Sequence, residues 1–233
     1  MKHLIAANWK MNPQTMAEAK RLFNSVKEGI KNIKNVEIVI CPPFVYLSSF
    51  KFQVPGFRLG AQDCFWENPP TGEGAFTGEI SPAMLRNLAV KYAIIGHSER
   101  RKYQKETDEM VNKKIKTALK NDLKPVLCIE NVSQVKRGLE GISKEGLKNM
   151  VIAYEPVFAI GTGKPCSPEK AEKVRKAIKS ATNADIPILY GGSVNSQNAG
   201  SYIEKAGFQG LLVGGASLNP EEFIKIVKNV SRA

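Results

Sequence analysis

Three residues far apart in the chain have side chains suited to moving protons beside a carbonyl: Lys10, His97 and Glu155. The carboxylate stands in VIAYEPVFAIGTGK, residues 151–164. There an apolar run ends on a single acid and Pro156 locks the backbone behind it. A second apolar stretch, Val157, Phe158, Ala159 and Ile160, then leads into Gly161, Thr162, Gly163 and Lys164. A carboxylate beneath an apolar cover is a base that works away from water, where its interactions are stronger. His97 is one of two histidines, and Ser98-Glu99-Arg100-Arg101 behind it can open a helix. A helix N-terminus is partially positive and disfavours imidazolium. A neutral imidazole donates a hydrogen bond to a carbonyl and accepts a proton back. Lys10, two residues after Asn8, supplies positive potential to a phosphate and to a developing oxyanion. Glu99 reads best as the ion-pair partner of Lys10 or of an arginine. Taken singly each residue has a plainer reading: a satisfied core histidine, a surface lysine, a solvated acid.

Two glycine pairs, Gly191-Gly192 and Gly214-Gly215, follow later apolar runs, the first of them leading into Ser193. Either pair can be a tight turn. Glycine also lets backbone N–H groups approach an anion, and Ser193 adds a hydroxyl donor. The GTGK at 161–164 is not a nucleotide-binding loop: that pattern needs glycine where Phe158 stands and serine or threonine where Pro165 stands. Residues 156–164 read instead as a lid. Proline brackets both ends, the apolar body covers a ligand, and Gly161 gives its N–H to a phosphate on closure.

These residues need elements that bring them together. Short runs apolar on both faces recur at 4–8, 36–41, 57–62, 92–97, 124–130, 150–155, 186–191 and 210–214. Strands of a parallel sheet buried between layers have this composition. Between them lie helical patterns with caps. Ser167-Pro168-Glu169 precedes Ala171, Val174, Ile178 and Ala181; Asn219-Pro220-Glu221 precedes Phe223, Ile226, Val227 and Val230; Thr107-Asp108-Glu109 precedes Val111, Ile115, Ala118 and Leu119. Eight strand–helix beats in 233 residues predict one closed (β/α)8 barrel spanning residues 1–233. An open doubly wound sheet would carry a glycine fingerprint after its first strand, and Ala6-Ala7-Asn8-Trp9-Lys10 has none. In a barrel, active sites form where strands end. Asn8 and Lys10 end the first strand, His97 the fourth, Glu155 the sixth, and the glycine pairs the seventh and eighth.

The remaining features exclude more than they assign. No stretch approaches the ~18 apolar residues of a membrane span, and Leu4 to Ala7 is too short for a signal peptide. Four scattered cysteines, Cys41, Cys64, Cys128 and Cys166, with two histidines, do not make a zinc site; they suit the reducing cytoplasm as small apolar residues. The net charge of +12 suits an anionic partner. Its lysines, such as Lys20, Lys27, Lys31 and Lys34, or Lys170, Lys173, Lys176 and Lys179, alternate with apolar positions as solvated helix faces do.

Several long stretches, in order along nearly the whole chain, resemble the triosephosphate isomerase family: residues 7–12 (ANWKMN), 74–79 (GAFTGE), 94–101 (IIGHSERR), 153–164 (AYEPVFAIGTGK), 190–194 (YGGSV) and 211–218 (LLVGGASL). The resemblance implies a barrel enzyme of glycolysis and gluconeogenesis. It would interconvert D-glyceraldehyde 3-phosphate and dihydroxyacetone phosphate through an enediolate, with no cofactor and no metal. A glutamate base, a neutral histidine and a closing loop are this family's known division of labour. By that resemblance Glu155 takes the proton beside the carbonyl, His97 polarises it, and Lys10 and Asn8 orient and stabilise charge. Gly161, Ser193, Gly214 and Gly215 hold the phosphate. The family is generally dimeric, which implies a homodimer through loop 64–79, with Thr77 directed at the neighbouring site and Phe65, Trp66 and Phe76 suited to a partner's pocket.

The sequence departs from the family pattern in four places. The loop between Gln62 and Gly74 is longer. The familiar Gln-Asn is Gln62-Asp63. Glu130 follows Cys128-Ile129 without a glycine, and the stretch to the sixth strand is short, leaving one weak helix at 133–148. Phe158 replaces the lid's usual tryptophan, which predicts altered lid packing with intact chemistry. Two other readings remain at this level. One is another phosphate-binding barrel acting on a ribose phosphate or an indole precursor. The other is a non-catalytic module drawn to nucleic acid or acidic surfaces by charge.

Overall fold

The computed structural model describes residues 2–50, 55–67, 69, 72–159 and 164–233. Eight strands, β1 His3–Asn8, β2 Val36–Cys41, β3 Phe57–Ala61, β4 Val90–Ile95, β5 Lys124–Ile129, β6 Val151–Tyr154, β7 Ile188–Tyr190 and β8 Gly210–Val213, run parallel and in chain order around a closed barrel. The seam is the β1–β8 pair, in which Leu4 stands opposite Gly210. A Cβ on Gly210 would lie 1.8 Å from the Leu4 carbonyl oxygen, so closure requires glycine there.

Period-two alternation sorts the strand residues into two cores. Leu4, Ala6, Val39, Cys41, Tyr92, Ile94, Val126, Cys128, Val151, Ala153, Leu189 and Leu212 pack against one another inside the barrel. Their neighbours in sequence, such as Ile5, Ala7, Ile38, Ile40, Leu127 and Ile152, face outward and join the larger core beneath the helices. Following the inward parity past the strand ends sends Asn8, Gln62, Glu155 and Gly214 toward the mouth.

The helices are α1 Met16–Ile30, α2 Phe44–Leu47, α3 Pro82–Asn87, α4 Ser98–Gln104, α5 Asp108–Lys120, α6 Ser133–Gly138, α7 Lys144–Lys148, α8 Pro168–Thr182, α9 Ala199–Glu204 and α10 Pro220–Val230. The three predicted caps are made: Thr107, Ser167 and Asn219 each accept from the backbone N–H three residues on. Such caps typically stabilise a helix by ~1 kcal/mol. The single weak helix expected at 133–148 is two short ones, α6 and α7. Gly141 between them has φ +69°, a left-handed conformation that breaks a right-handed helix. Phe65, expected to meet a partner, is buried within its own chain, packed against Trp66 and Phe76 at 4.5 and 4.9 Å between ring centroids. Among the described residues no helix is long and apolar enough to cross a membrane.

Candidate active site

The C-terminal strand ends enclose a cavity of about 310 Å³ lined by Asn8, Lys10, His97, Glu155, Gly191, Gly192, Ser193, Gly214 and Gly215, among others. The structure therefore gathers residues 207 positions apart in sequence (8 to 215) around one volume fit for a small metabolite. A larger hollow of about 480 Å³ lies between α5 and α7, but it carries no histidine and no buried acid.

Glu155 is fully buried, an unusual place for a carboxylate. The backbone N–H of Ser98 donates to its Oε2 at 2.9 Å. Its Oε1 lies 3.0 Å from His97 Nε2 yet accepts no aligned hydrogen bond among the described residues. One oxygen is anchored and the other is free to accept a proton. The strand end that carries it is fixed: the N–H of Glu155 donates to Ile129 O at 2.8 Å. Behind it sits the buried thiol of Cys128, pushed well above its ordinary value by burial first and by the charge and contact of Glu155 second.

His97 is the N-cap of α4, and its Nδ1 accepts from the backbone N–H of Glu99 at 3.2 Å. A ring whose Nδ1 is an acceptor carries its hydrogen on Nε2, the atom facing Glu155 and the cavity. Helix α4 thus selects the tautomer as well as the direction of the ring.

Lys10 has φ +54°, a left-handed conformation costly for a side-chain-bearing residue. It is held there by two contacts: its N–H donates to Asn8 Oδ1 at 3.0 Å, and its carbonyl accepts from Gln62 Nε2 at 2.7 Å. Its Nζ meets Glu99 Oε1 at 2.5 Å. A Cβ on Gly214 would stand 3.3 Å from Lys10 Cε, so glycine clears the path of the lysine across β8. Backbone strain held by several contacts commonly marks a functional position.

The seventh and eighth strand ends form the polar floor. Gly192 is obligatory, because a Cβ there would fall 2.3 Å from Tyr190 Oη. Asn198 Nδ2 donates to Ser193 O at 3.2 Å and fixes that turn. The Ser193 hydroxyl donates to the carbonyl of Ala159, at the stem of the predicted lid. Val157–Ala159 form one 3-10 turn in which Val157 and Phe158 are exposed. Ile160, Gly161, Thr162 and Gly163 lie outside the described residues; Ala159 and Lys164 flank them. After β8, Gly215–Leu218 form a second short 3-10 turn.

The sequence did not single out three supports of this site: the Ser98 N–H, Cys128 and Asn198. A backbone N–H has no signature in sequence. Cys128 is one apolar residue among many until strand pairing sets it beneath Glu155. Asn198 is indistinguishable from other loop asparagines.

The sequence profile of the triosephosphate isomerase family matches residues 3–230. Over 250 aligned positions the chain is 44% identical to the triosephosphate isomerase of Dictyoglomus turgidum, covering 97% of this chain and 98% of the relative. It is 46% identical to that of Dictyoglomus thermophilum over 250 positions, with the same coverage. It is 45% identical to that of Caldanaerobacter subterraneus subsp. tengcongensis over 249 positions, covering 96% of this chain and 98% of the relative. The chain belongs to the triosephosphate isomerase family.

Proposed function

We propose that this protein is a triosephosphate isomerase, acting in glycolysis and gluconeogenesis, and that Glu155, His97, Lys10 and Asn8 carry the reaction. The observation that carries this reading is the pairing of a fully buried carboxylate, one oxygen unbonded, with an imidazole Nε2 only 3.0 Å away. Glu155 removes the proton from the carbon beside the carbonyl. The Nε2–H of His97 donates to the carbonyl oxygen as charge develops there and returns a proton between the two oxygens of the enediolate. Lys10 stabilises the same developing charge and the substrate phosphate, and Asn8 keeps the Lys10 backbone in place. Carbon loses a proton on one side and gains one on the other, so no oxidant and no cofactor enter the balance.

The phosphate is held by Ser193, Gly214 and Gly215 together with Gly161 of the lid. This is supported by the glycine-walled floor opposite the acid and base. The bond from Ser193 to the lid stem suggests how lid and floor communicate: a phosphate that engages Ser193 competes with Ala159 for its hydroxyl. A lid that excludes water also protects the enediolate from side reactions. Deuterium exchange and turnover test the whole assignment. The purified protein is expected to convert glyceraldehyde 3-phosphate to dihydroxyacetone phosphate and to incorporate solvent deuterium at the transferred position. Well-folded protein without turnover overturns it.

The molecule also works, in this proposal, as a homodimer. Met11, Val45 and Met84 are exposed by 83%, 75% and 50%, and they follow β1, β2 and β3, as does loop 64–79 with exposed Phe76 and Thr77. Consecutive strands place these apolar side chains on one flank of the barrel, where a second copy would bury them. Thr77 would then reach toward the neighbouring site. Sedimentation equilibrium is expected to return twice the chain mass of 25.6 kDa, and Val45→Glu with Met84→Glu to return the single mass. A wild-type protein that stays at the single mass at micromolar concentration removes this part of the proposal. The four cysteines are buried and unpaired, which supports a reducing compartment such as the cytoplasm.

A further inference from the structure

We propose that Gln62 and Asp63, the two residues that follow β3, are positioning residues for the reaction: one fixes the backbone of Lys10 and the other anchors the helix that aims His97. This rests on the assignment of Lys10 and His97 made above.

The two side chains leave the strand on opposite faces. Gln62 points into the mouth and spends both amide hydrogens on backbone carbonyls, Lys10 O at 2.7 Å and Cys41 O at 2.9 Å. Lys10 is the residue in the left-handed conformation, which it keeps only while its neighbours hold it. With Asn8 on its N–H and Gln62 on its carbonyl, the Lys10 peptide is gripped from both ends.

Asp63 points outward, beneath the helices, into a buried cluster of charges. Its carboxylate takes Lys114 Nζ on both oxygens, at 2.8 and 2.7 Å, and Arg100 Nη2 at 2.9 Å. Arg100 Nε reaches Glu106 Oε1 at 2.5 Å, and Lys114 contacts that same oxygen. Arg100 is therefore held by two carboxylates in two directions, which fixes the plane of its guanidinium. Arg100 belongs to the first turn of α4. Its own N–H donates to His97 O at 2.8 Å, and the next residue back, Glu99, gives the N–H that orients the imidazole. Shifting Arg100 shifts the donor that sets the His97 ring.

Stability alone does not account for Asp63. Burial raises its carboxyl to about 6, and Glu106 pushes the same way against Lys114 and Arg100. The thiol of Cys64 lies beside it, and Glu79 adds its charge at Arg100. Glu106 Oε2 is buried and has no hydrogen-bond partner among the described residues. A carboxyl raised in the fold contributes stability that is fully present below its ordinary value of 3.8 and is lost as pH rises through about 6. At neutral pH the ionised Asp63 carries this burial penalty while completing the grip on Arg100. Without it, Arg100 and Lys114 share Glu106, with only the charge of Glu79 beside Arg100.

Steady-state kinetics and thermal melts of wild type, Asp63→Asn and Gln62→Met test the clamp. Asparagine keeps the shape of Asp63 and removes its charge; methionine keeps the length of Gln62 and removes both donors. At pH 7.5 each variant is expected to lose roughly tenfold in kcat, with KM within about twofold, as a sub-ångström displacement of a reacting group would cause. The kcat loss of Asp63→Asn is expected at temperatures well below its own melting transition, where the variant is folded. The ratio of wild-type to Asp63→Asn kcat should shrink toward one as pH falls through about 6, where Asp63 itself becomes neutral. The ratio to Gln62→Met should stay constant with pH. A ratio for Asp63→Asn that does not change with pH, a kcat loss that tracks a lowered melting temperature, or unchanged kcat in both variants overturns the clamp. If Asp63→Asn does not fold, Gln62→Met decides alone, and its unchanged kcat overturns the proposal. A wild type that turns over triose phosphate while the variants match it defeats the clamp only; a wild type without turnover defeats the proposed function.

Discussion

Shortening Glu155 to aspartate is expected to lower kcat by about 10²–10⁴-fold, the usual contribution of a positioned base. The change removes one methylene and withdraws the carboxylate by roughly 1.5 Å along the side chain. The backbone cannot follow to restore the distance. β6 is paired on both sides, with Ile129↔Tyr154 and Tyr154↔Tyr190 as the last registers before the acid. The N–H of Glu155 is bonded to Ile129 O, and Gly191 packs so closely that a Cβ there would lie 3.1 Å from Glu155 Cγ. The shortened carboxylate also loses reach toward Ser98 N–H or toward substrate; it cannot keep both. With substrate held by the floor and Lys10, as proposed, KM should move by no more than a few-fold, so the loss appears in kcat. The vacated space costs ~1 kcal/mol of stability, which a thermal melt separates from the kinetic effect. Unchanged turnover of glyceraldehyde 3-phosphate by a folded Glu155→Asp protein removes Glu155 as the base.

Replacing Lys10 with methionine is expected to lower kcat/KM by about 10²–10³-fold, the range for losing one preorganised donor at a developing oxyanion. Methionine keeps the apolar stem lying across Gly214 and removes only the ammonium. Unlike the glutamate change, this one should raise KM as well as lower kcat, because the same charge meets the phosphate before reaction and the oxyanion during it. The melting temperature should barely move. The Lys10–Glu99 pair is 28% and 41% exposed at its two side chains, and exposed pairs contribute little. The left-handed backbone at position 10 remains, since Asn8 and Gln62 hold it through backbone atoms. The salt dependence of kcat/KM gives a second reading: screening should slow the wild type more than the variant. Equal kcat/KM in the two proteins removes Lys10 from the reaction.

The strands and the principal helices were legible because their signals are local. VEIVIC at 36–41 is a strand over those very residues, and Ser167-Pro168-Glu169 opens a helix where it should. Most strand ends moved by one or two residues. Gly96-His97 and Glu155, written as the tails of strands, stand beyond the last paired residues Ile95 and Tyr154. Strand composition continues past the point where pairing stops, so a sequence cannot mark that point. The helix expected at 133–148 failed for a related reason: apolar spacing allows one helix, and only the backbone at Gly141 divides it.

The identities of Glu155, His97, Lys10 and the glycine pairs, and their placement after the first, fourth, sixth, seventh and eighth strands, were readable from sequence, because parallel strands with helical returns leave all such residues at one end of a barrel. Phe65 shows the opposite case. An aromatic residue in a loop reads as available to a partner, and only packing against Trp66 and Phe76 reveals it as internal. The sequence by itself determined which chemical groups the protein owns and that a closed barrel would bring them to one face, since periodicity and capping act over a few residues. Tertiary structure alone decided which Glu155 oxygen is free, which tautomer His97 holds, and how Gln62 and Asp63 reach the elements carrying Lys10 and His97. Those outcomes depend on distances between segments dozens of residues apart, and no local pattern encodes them.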